Sequence, residues 1–289
     1  MWSLGGLSVS ELLKRTARES WEDEIFGQSG RLAFYHFIAL FPGLLLLLML
    51  LARMSHTGAG MRLLLADACR RLLPEPAAAL VTGAIADLDG NAHRAGMLFG
   101  IAAASAVWAG FNASWAMIVG LNTAYETAED RTWWQIARAA SGLACAVLAL
   151  VFAALLAGEW AGPAVPGPLP AILQWASIAA ILLLSFGLFY RFGPNLRQRS
   201  WQWTTPGAVF GTLLWLGSTL LVRVYFDRFS SYPSVYGRVA APAMLLMWLY
   251  VTAAAILIGA ELNSEIEKAD ERRGALQPAR RQVRRDRGV

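Results

Sequence analysis

Long apolar runs, fenced by short charged segments, dominate the chain. Six windows, about 32–52, 95–125, 139–158, 170–190, 203–222 and 239–260, are almost free of charge. Each is long enough for a helix to cross about 30 Å of hydrocarbon, which takes roughly 20 apolar residues. The third window lies between Arg138 and Glu159, the fifth between Arg199 and Arg223, and the sixth between Arg238 and Glu261. A soluble core does not repeat such fencing six times. The pattern predicts an all-α integral membrane protein, a six-transmembrane-helix bundle. The second window exceeds the length one span needs and is expected to tilt or to extend past the bilayer.

The segments outside the windows have patterns of their own. Ser8 and Glu11 have the S-x-x-E spacing of a capping box, which opens a helix. Leu12, Leu13, Thr16 and Ala17 share one face of that helix, and Lys14, Arg15 and Arg18 lie elsewhere. The prediction is an N-terminal amphipathic surface helix on the cytoplasmic leaflet. Residues 53–94 are too many for a plain turn. Helical patterning over Arg62–Leu73, the breakers Pro74 and Pro76, and apolar Ala77–Leu88 predict a helical periplasmic loop. The domain reading is a cytoplasmic amphipathic segment over 1–30, the membrane domain over 31–268, and a disordered basic cytoplasmic tail over 269–289.

Composition sharpens this picture. Of 289 residues, 56% are hydrophobic and 16% charged, against about a quarter charged in soluble domains. Counted by segment, 17 Lys and Arg fall on the side that holds both ends of the chain and eight on the other. Positive residues accumulate on the cytoplasmic side, so both termini are expected in the cytoplasm, with the tail supplying much of the bias. Trp133, Trp134, Trp201 and Trp203 fall at expected cytoplasmic borders and Trp160 at a periplasmic one. Trp108, Trp115, Trp215 and Trp248 fall inside spans, where packing is expected. The first 30 residues carry charges in place of an apolar signal core, so the first span is expected to act as its own insertion signal. Cys69 and Cys145 make neither a CxxC pair nor a disulfide framework.

Several short motifs bear on family. Tyr35, Phe41 and Pro42 stand in the first span. Trp108 and the run Gly120-Leu121-Asn122-Thr123-Ala124-Tyr125 lie in the second. Tyr190, Arg191 and Pro194 end the fourth; Trp203, Pro206 and Gly207 open the fifth. Tyr236 and Gly237 precede the sixth, which runs from MLLMWLY to GAELN. Together these resemble the BrkB/YihY-like envelope membrane proteins, once labelled ribonuclease BN, over roughly residues 20–268. Phe34 and Ala39 depart from that family's A-Y-x-x-L-S-L-F-P pattern. The resemblance implies a six-helix protein of the bacterial inner membrane, linked to envelope integrity and, in some members, to lipid movement.

Catalytic chemistry finds little support in the residues. His36, His56 and His93 lie in different segments, and no P-loop, G-x-S-x-G or H-E-x-x-H motif occurs. No cofactor, metal or nucleic-acid partner is expected, and the chain is not read as an enzyme. The expected partners are membrane lipids, the anionic cytoplasmic leaflet through the basic tail, and an envelope protein. Candidate transport or gating residues are His36, Asn112, Asn122, Tyr125, Tyr190, Arg191, Tyr236, Gly237, Glu261 and Asn263. Two readings stay open for the intramembrane polar groups: lining a cavity for a headgroup, or hydrogen-bonding within and between helices. Arg191 and Glu261, level at the cytoplasmic ends of two spans, suggest an ion pair. Gly96/Gly100 and Gly207/Gly211 have the small-xxx-small spacing of close helix packing. The leading functional reading is transport of a lipid or other amphiphile. The alternative is a membrane scaffold, and a membrane-bound nuclease is a remote third.

Overall fold

The computed structural model describes residues 4–53, 63, 67, 70, 79, 95–160, 169–196, 205–228 and 240–286. Among them there are seven helices and no strand: α1 (Val9–Glu22), α2 (Ile25–Arg53), α3 (Ala95–Ala124), α4 (Trp133–Trp160), α5 (Leu169–Phe192), α6 (Pro206–Arg228) and α7 (Ala240–Asp286). Helices α2 to α7 coincide with the six apolar windows. By length and composition, stretches of α3 (Ala103–Ala124), α6 (Pro206–Tyr225) and α7 (Ala241–Arg273) suffice to cross a membrane, and α5 contains a shorter apolar helix over Ala176–Phe192.

Local chemistry explains the helix ends. Thr205 caps α6, its Oγ1 accepting from the Ala208 N–H at 3.1 Å. Pro206 follows at the first helical position, where a missing N–H costs nothing. Before α4, the Gln135 side chain accepts from the Thr132 N–H at 2.9 Å, half of a capping box. Glu24, with φ 51°, turns the chain from α1 into α2.

Helix α7 is the hub, packing against α1, α2, α3 and α6. The main core joins Ile25 and Leu32 of α2 with Met117 and Leu121 of α3, Phe186 and Tyr190 of α5, Trp215 of α6 and Ile256 and Leu257 of α7. The outer faces remain apolar: Val107, Trp108, Leu213 and Leu221 are each more than 60% exposed. Such a surface is costly in water and suits lipid. Trp215 is buried, donates from Nε1 to Thr252 Oγ1 at 2.9 Å and meets Trp248 edge-on. Trp108 and Trp115, expected to pack, point outward. Exposed Trp133 and Trp134 stack at the start of α4.

Two expectations are corrected. Helix α1 docks on protein: Leu12 packs with Leu262 and Ile266 of α7, and Thr16 and Ser20 continue that buried face. Leu13 and Ala17, assigned to the same face, are exposed; the four-residue repeat Leu12-Thr16-Ser20 is the true seam. The tail is also helical as far as Asp286. Glu, Lys, Arg, Ala and Gln in that segment favour helix, and α7 supplies a nucleus that an isolated peptide would lack. The expected periplasmic helices of residues 53–94 lie almost wholly outside the described residues, as do Trp201 and Trp203.

Candidate functional site

Most of the singled-out polar residues meet at one end of the bundle, where α3, α5, α6 and α7 and the turn between α1 and α2 come together. Three devices build this end.

The first is a helix crossing. The Tyr190 hydroxyl donates to the Ile256 carbonyl at 2.8 Å, linking α5 to α7. A Cβ on Gly259 would stand 2.3 Å from that hydroxyl and 2.7 Å from the Gly207 carbonyl. On Gly207 it would meet the Gly259 carbonyl at 2.0 Å, and on Gly211 the Ala255 carbonyl at 3.0 Å. The close packing suggested by the Gly207/Gly211 spacing is therefore present, with Gly259 as its counterpart. Gly100 has nothing within 4 Å of an added Cβ, so the same spacing there serves no contact among the described residues.

The second is a side-chain cap across helices. Asn263 of α7 is buried; its Oδ1 accepts from the Gly207 N–H at 2.8 Å, and its Nδ2 donates to Thr205 Oγ1 at 2.9 Å. One amide thus satisfies a free N–H at the start of α6 and holds the capping threonine. The GAELN end of the sixth window and the Pro206-Gly207 start of the fifth are parts of one joint.

The third is a clamp on the α3–α4 connection. Asn122 Nδ2 donates to Glu129 Oε2 at 2.8 Å, and its Oδ1 accepts from the Asn195 N–H at 2.8 Å. Arg131 grips Glu129 through Nε and Nη2 at 2.8 and 2.6 Å and donates to the Gly193 carbonyl at 2.9 Å. Asn195 reaches back to the Ala128 carbonyl and to Asp130, and Thr127 donates to the Asn195 carbonyl. Burial alone would raise the Glu129 carboxyl, but the bonds from Arg131 and Asn122 outweigh it and hold the group below its ordinary value.

Beside these devices lies a patch of charge. Lys268 Nζ donates to Glu126 at 2.7 Å and to buried Glu265 at 3.0 Å. Asp23, in the α1–α2 turn, is pushed above the ordinary carboxyl range, first by burial and then by Glu126, with Lys268 pulling the other way. Glu261 is fully buried, and neither of its oxygens accepts a hydrogen bond among the described residues. The expected pairing with Arg191 is thus not a hydrogen-bonded one. Tyr125 packs against the core with its hydroxyl in range of Asn263 and Glu261.

His36 and Asn112 are not part of this assembly. His36 Nδ1 donates to the Leu32 carbonyl at 2.9 Å, and Asn112 Nδ2 donates to the Trp108 carbonyl at 2.8 Å. Each turns back on its own helix, the local solution open to a polar group in an apolar setting. Tyr236 and Gly237 lie outside the described residues. Sequence reasoning passed over Glu129, Arg131, Asn195, Thr205, Glu265 and Lys268. The Thr-Pro start of α6 and the i,i+3 spacing of Glu265 and Lys268 were legible signals; the bonds of Asn195 to segments over 60 residues away were not.

A family model, virulence factor BrkB, matches residues 16–283. The chain belongs to the BrkB family. Among its relatives is a ribonuclease-like protein, YfkH, of Bacillus subtilis, 26% identical over 253 residues that cover 83% of this chain and 90% of that one. The UPF0761 membrane protein of Idiomarina loihiensis is 35% identical over 83 residues, 29% of each chain. That of Stenotrophomonas maltophilia is 28% identical over 141 residues, 46% of this chain and 31% of the relative. The match therefore spans less than a third of these two UPF0761 relatives. No solved structure matches the chain. Among the described residues of this BrkB-family protein, no three His, Cys, Asp or Glu side chains are grouped to hold a metal ion.

Proposed function

We propose that this BrkB-family protein spans the bacterial inner membrane six times, with both termini in the cytoplasm, and moves a lipid or another amphiphile to maintain the envelope. The observation that carries the reading is the concentration of buried polar and charged groups, Asn122, Glu261, Asn263 and Glu265, at one end of a bundle whose outer helical surface is apolar. Ionisable groups at such depth are expensive and mark sites of function more often than of packing. A headgroup entering between helices would meet this polar layer while its chains stayed against exposed Val107, Leu213 and Leu221. The family resemblance points the same way.

Reconstitution tests it. Purified protein in proteoliposomes with a labelled phospholipid and an outer-leaflet quencher is expected to lose leaflet asymmetry faster than empty vesicles. Replacing Glu261 or Arg191 is expected to slow that loss. Unchanged rates across several lipid types count against transport.

A second reading, a scaffold for envelope partners, is favoured by His36 and Asn112, each of which is satisfied by a carbonyl of its own helix and so calls for no polar cavity. It predicts no translocation and retention of a partner through the periplasmic loop or the basic tail.

A further inference from the structure

The seam between α6 and α7 is a ladder of facing residues. Gly207 meets Asn263 and Gly259, Gly211 meets Ala255, Trp215 bonds to Thr252, and Val222 packs with Met244. Numbers rise along α6 as they fall along α7, so the two helices run antiparallel. Successive rungs are one helical turn apart on each helix. Only the gap between Trp215–Thr252 and Val222–Met244 is two turns long, and it holds one rung more. The residues that fall there are Thr219 and Trp248.

That rung repeats its neighbour's chemistry. Trp215 and Thr219 on α6, like Trp248 and Thr252 on α7, are a tryptophan and a threonine one turn apart. In an antiparallel pair this sets each tryptophan level with the threonine of the other helix, a two-fold arrangement. Trp215 Nε1 donates directly to Thr252 Oγ1 at 2.9 Å, and the two indoles meet edge-on at 6.0 Å. The twin contact is not closed in the same way. Trp248 Nε1 and Thr219 Oγ1 are buried atoms, and neither has a hydrogen bond among the described residues.

Unpaired polar atoms in so apolar a seam are costly. The indole N–H can only donate, whereas a hydroxyl both donates and accepts. One ligand satisfies both if it accepts from Trp248 and donates to, or accepts from, Thr219. A cation cannot take the N–H, and an anion would find no counter-charge, since no residue of the ladder is charged. The closed rungs on either side and the burial of both atoms admit only a small ligand, not a lipid hydroxyl with its chain. Two polar partners are the minimum that a buried water needs.

We propose that Trp248 Nε1 and Thr219 Oγ1 hold one water molecule, which bridges α6 and α7 where the neighbouring rung has a direct bond. The seam is thus fixed by backbone contact at Gly207 and Gly259, by a direct bond at Trp215, and by an exchangeable molecule at Trp248. The site does not depend on the lipid reading and is tested without lipid.

The test is thermal unfolding of the purified full-length chain in detergent, with Thr252→Val, which breaks the direct rung, as the reference. Removing an unpaired buried polar atom is expected to stabilise, and removing one anchor of a bound water to destabilise. Thr219→Val and Trp248→Phe are each expected to lower the melting temperature by about 2–4 °C. The double variant is expected to melt no lower than the worse single one, because both anchors share one ligand. Thr219→Asn, whose amide reaches further and takes the place of the water, is expected to melt above Thr219→Val. A single variant that melts at or above the wild type overturns the proposal, as do losses that simply add. Thr219→Asn melting below Thr219→Val overturns it in favour of a direct contact with no room for water. Should Trp248→Phe not fold, the two Thr219 variants decide by the same criteria.

Discussion

The Tyr190 hydroxyl reaches the Ile256 carbonyl at 2.8 Å only because Gly259, one turn further along α7, has no side chain. Tyr190→Phe is expected to cost about 1 kcal/mol, the net worth of one neutral hydrogen bond. Gly259→Ala is expected to cost more, because its Cβ would also press on the Gly207 carbonyl, which is backbone and cannot swing away. Gly100→Ala makes the control. With open space around it, it is expected to be neutral or to stabilise by up to about 1 kcal/mol through helix propensity. Thermal unfolding of the three variants in one detergent checks the order.

The clamp at Asn122 makes a separate prediction. Asn122→Ala removes bonds to Glu129 and to the Asn195 N–H and leaves both partners in a half-buried setting. A loss of about 2 kcal/mol is expected, one bond being to a charged group. The helices have no cause to change, so circular dichroism should remain the same while protease cleavage between α3 and α4 rises.

Glu129 also gives a pH dependence with a definite sign. Its folded value lies below the ordinary 4.5, so the folded state favours the carboxylate. That contribution is complete above the unfolded value and is lost as pH falls through the lower folded one. The stability gap between the wild type and Glu129→Gln is expected to be constant near neutrality and to close only below about pH 4.5. A gap that instead widened on acidification would contradict the clamp.

How much of this was legible beforehand depends on the range of the signal. Apolar windows are summed over 20 residues, and helices occupy all six. Ser8 caps α1 as its spacing foretold, accepting from the Glu11 N–H at 3.3 Å. The reciprocal half did not follow, since the Glu11 side chain pairs with Arg15 at 2.6 Å. Small residues flagged a close crossing at Gly207 and Gly211, yet the same spacing at Gly100 meant nothing, because spacing does not say which face has a neighbour. The Asn263 cap and the Asn122 clamp join residues more than 50 apart, and no local periodicity records such a pairing.

Lys268 is the positive group that keeps Glu265 tolerable. Lys268→Met leaves a carboxylate of 7% side-chain exposure without its counter-charge, and a cost of about 3 kcal/mol is expected. Adding Glu265→Gln to that variant should recover most of the loss, because the uncompensated charge is then gone. A double-mutant cycle by thermal unfolding measures the coupling. Independent, additive losses would mean that the two side chains do not share their energy.

The docking of α1 separates two neighbouring leucines. On a membrane-surface helix with Leu12, Leu13, Thr16 and Ala17 on one face, Leu12→Asp and Leu13→Asp would weaken attachment alike. In the packed arrangement Leu12 is 3% exposed against Leu262 and Ile266, and Leu13 is 40% exposed. Leu12→Asp should therefore place a charge in an apolar seam and free α1, while Leu13→Asp leaves it in place. Limited proteolysis in detergent is the measurement. Rapid cleavage within residues 9–22 is expected for Leu12→Asp alone, with the α2–α7 bundle intact. Equal sensitivity of both variants would return α1 to the membrane surface.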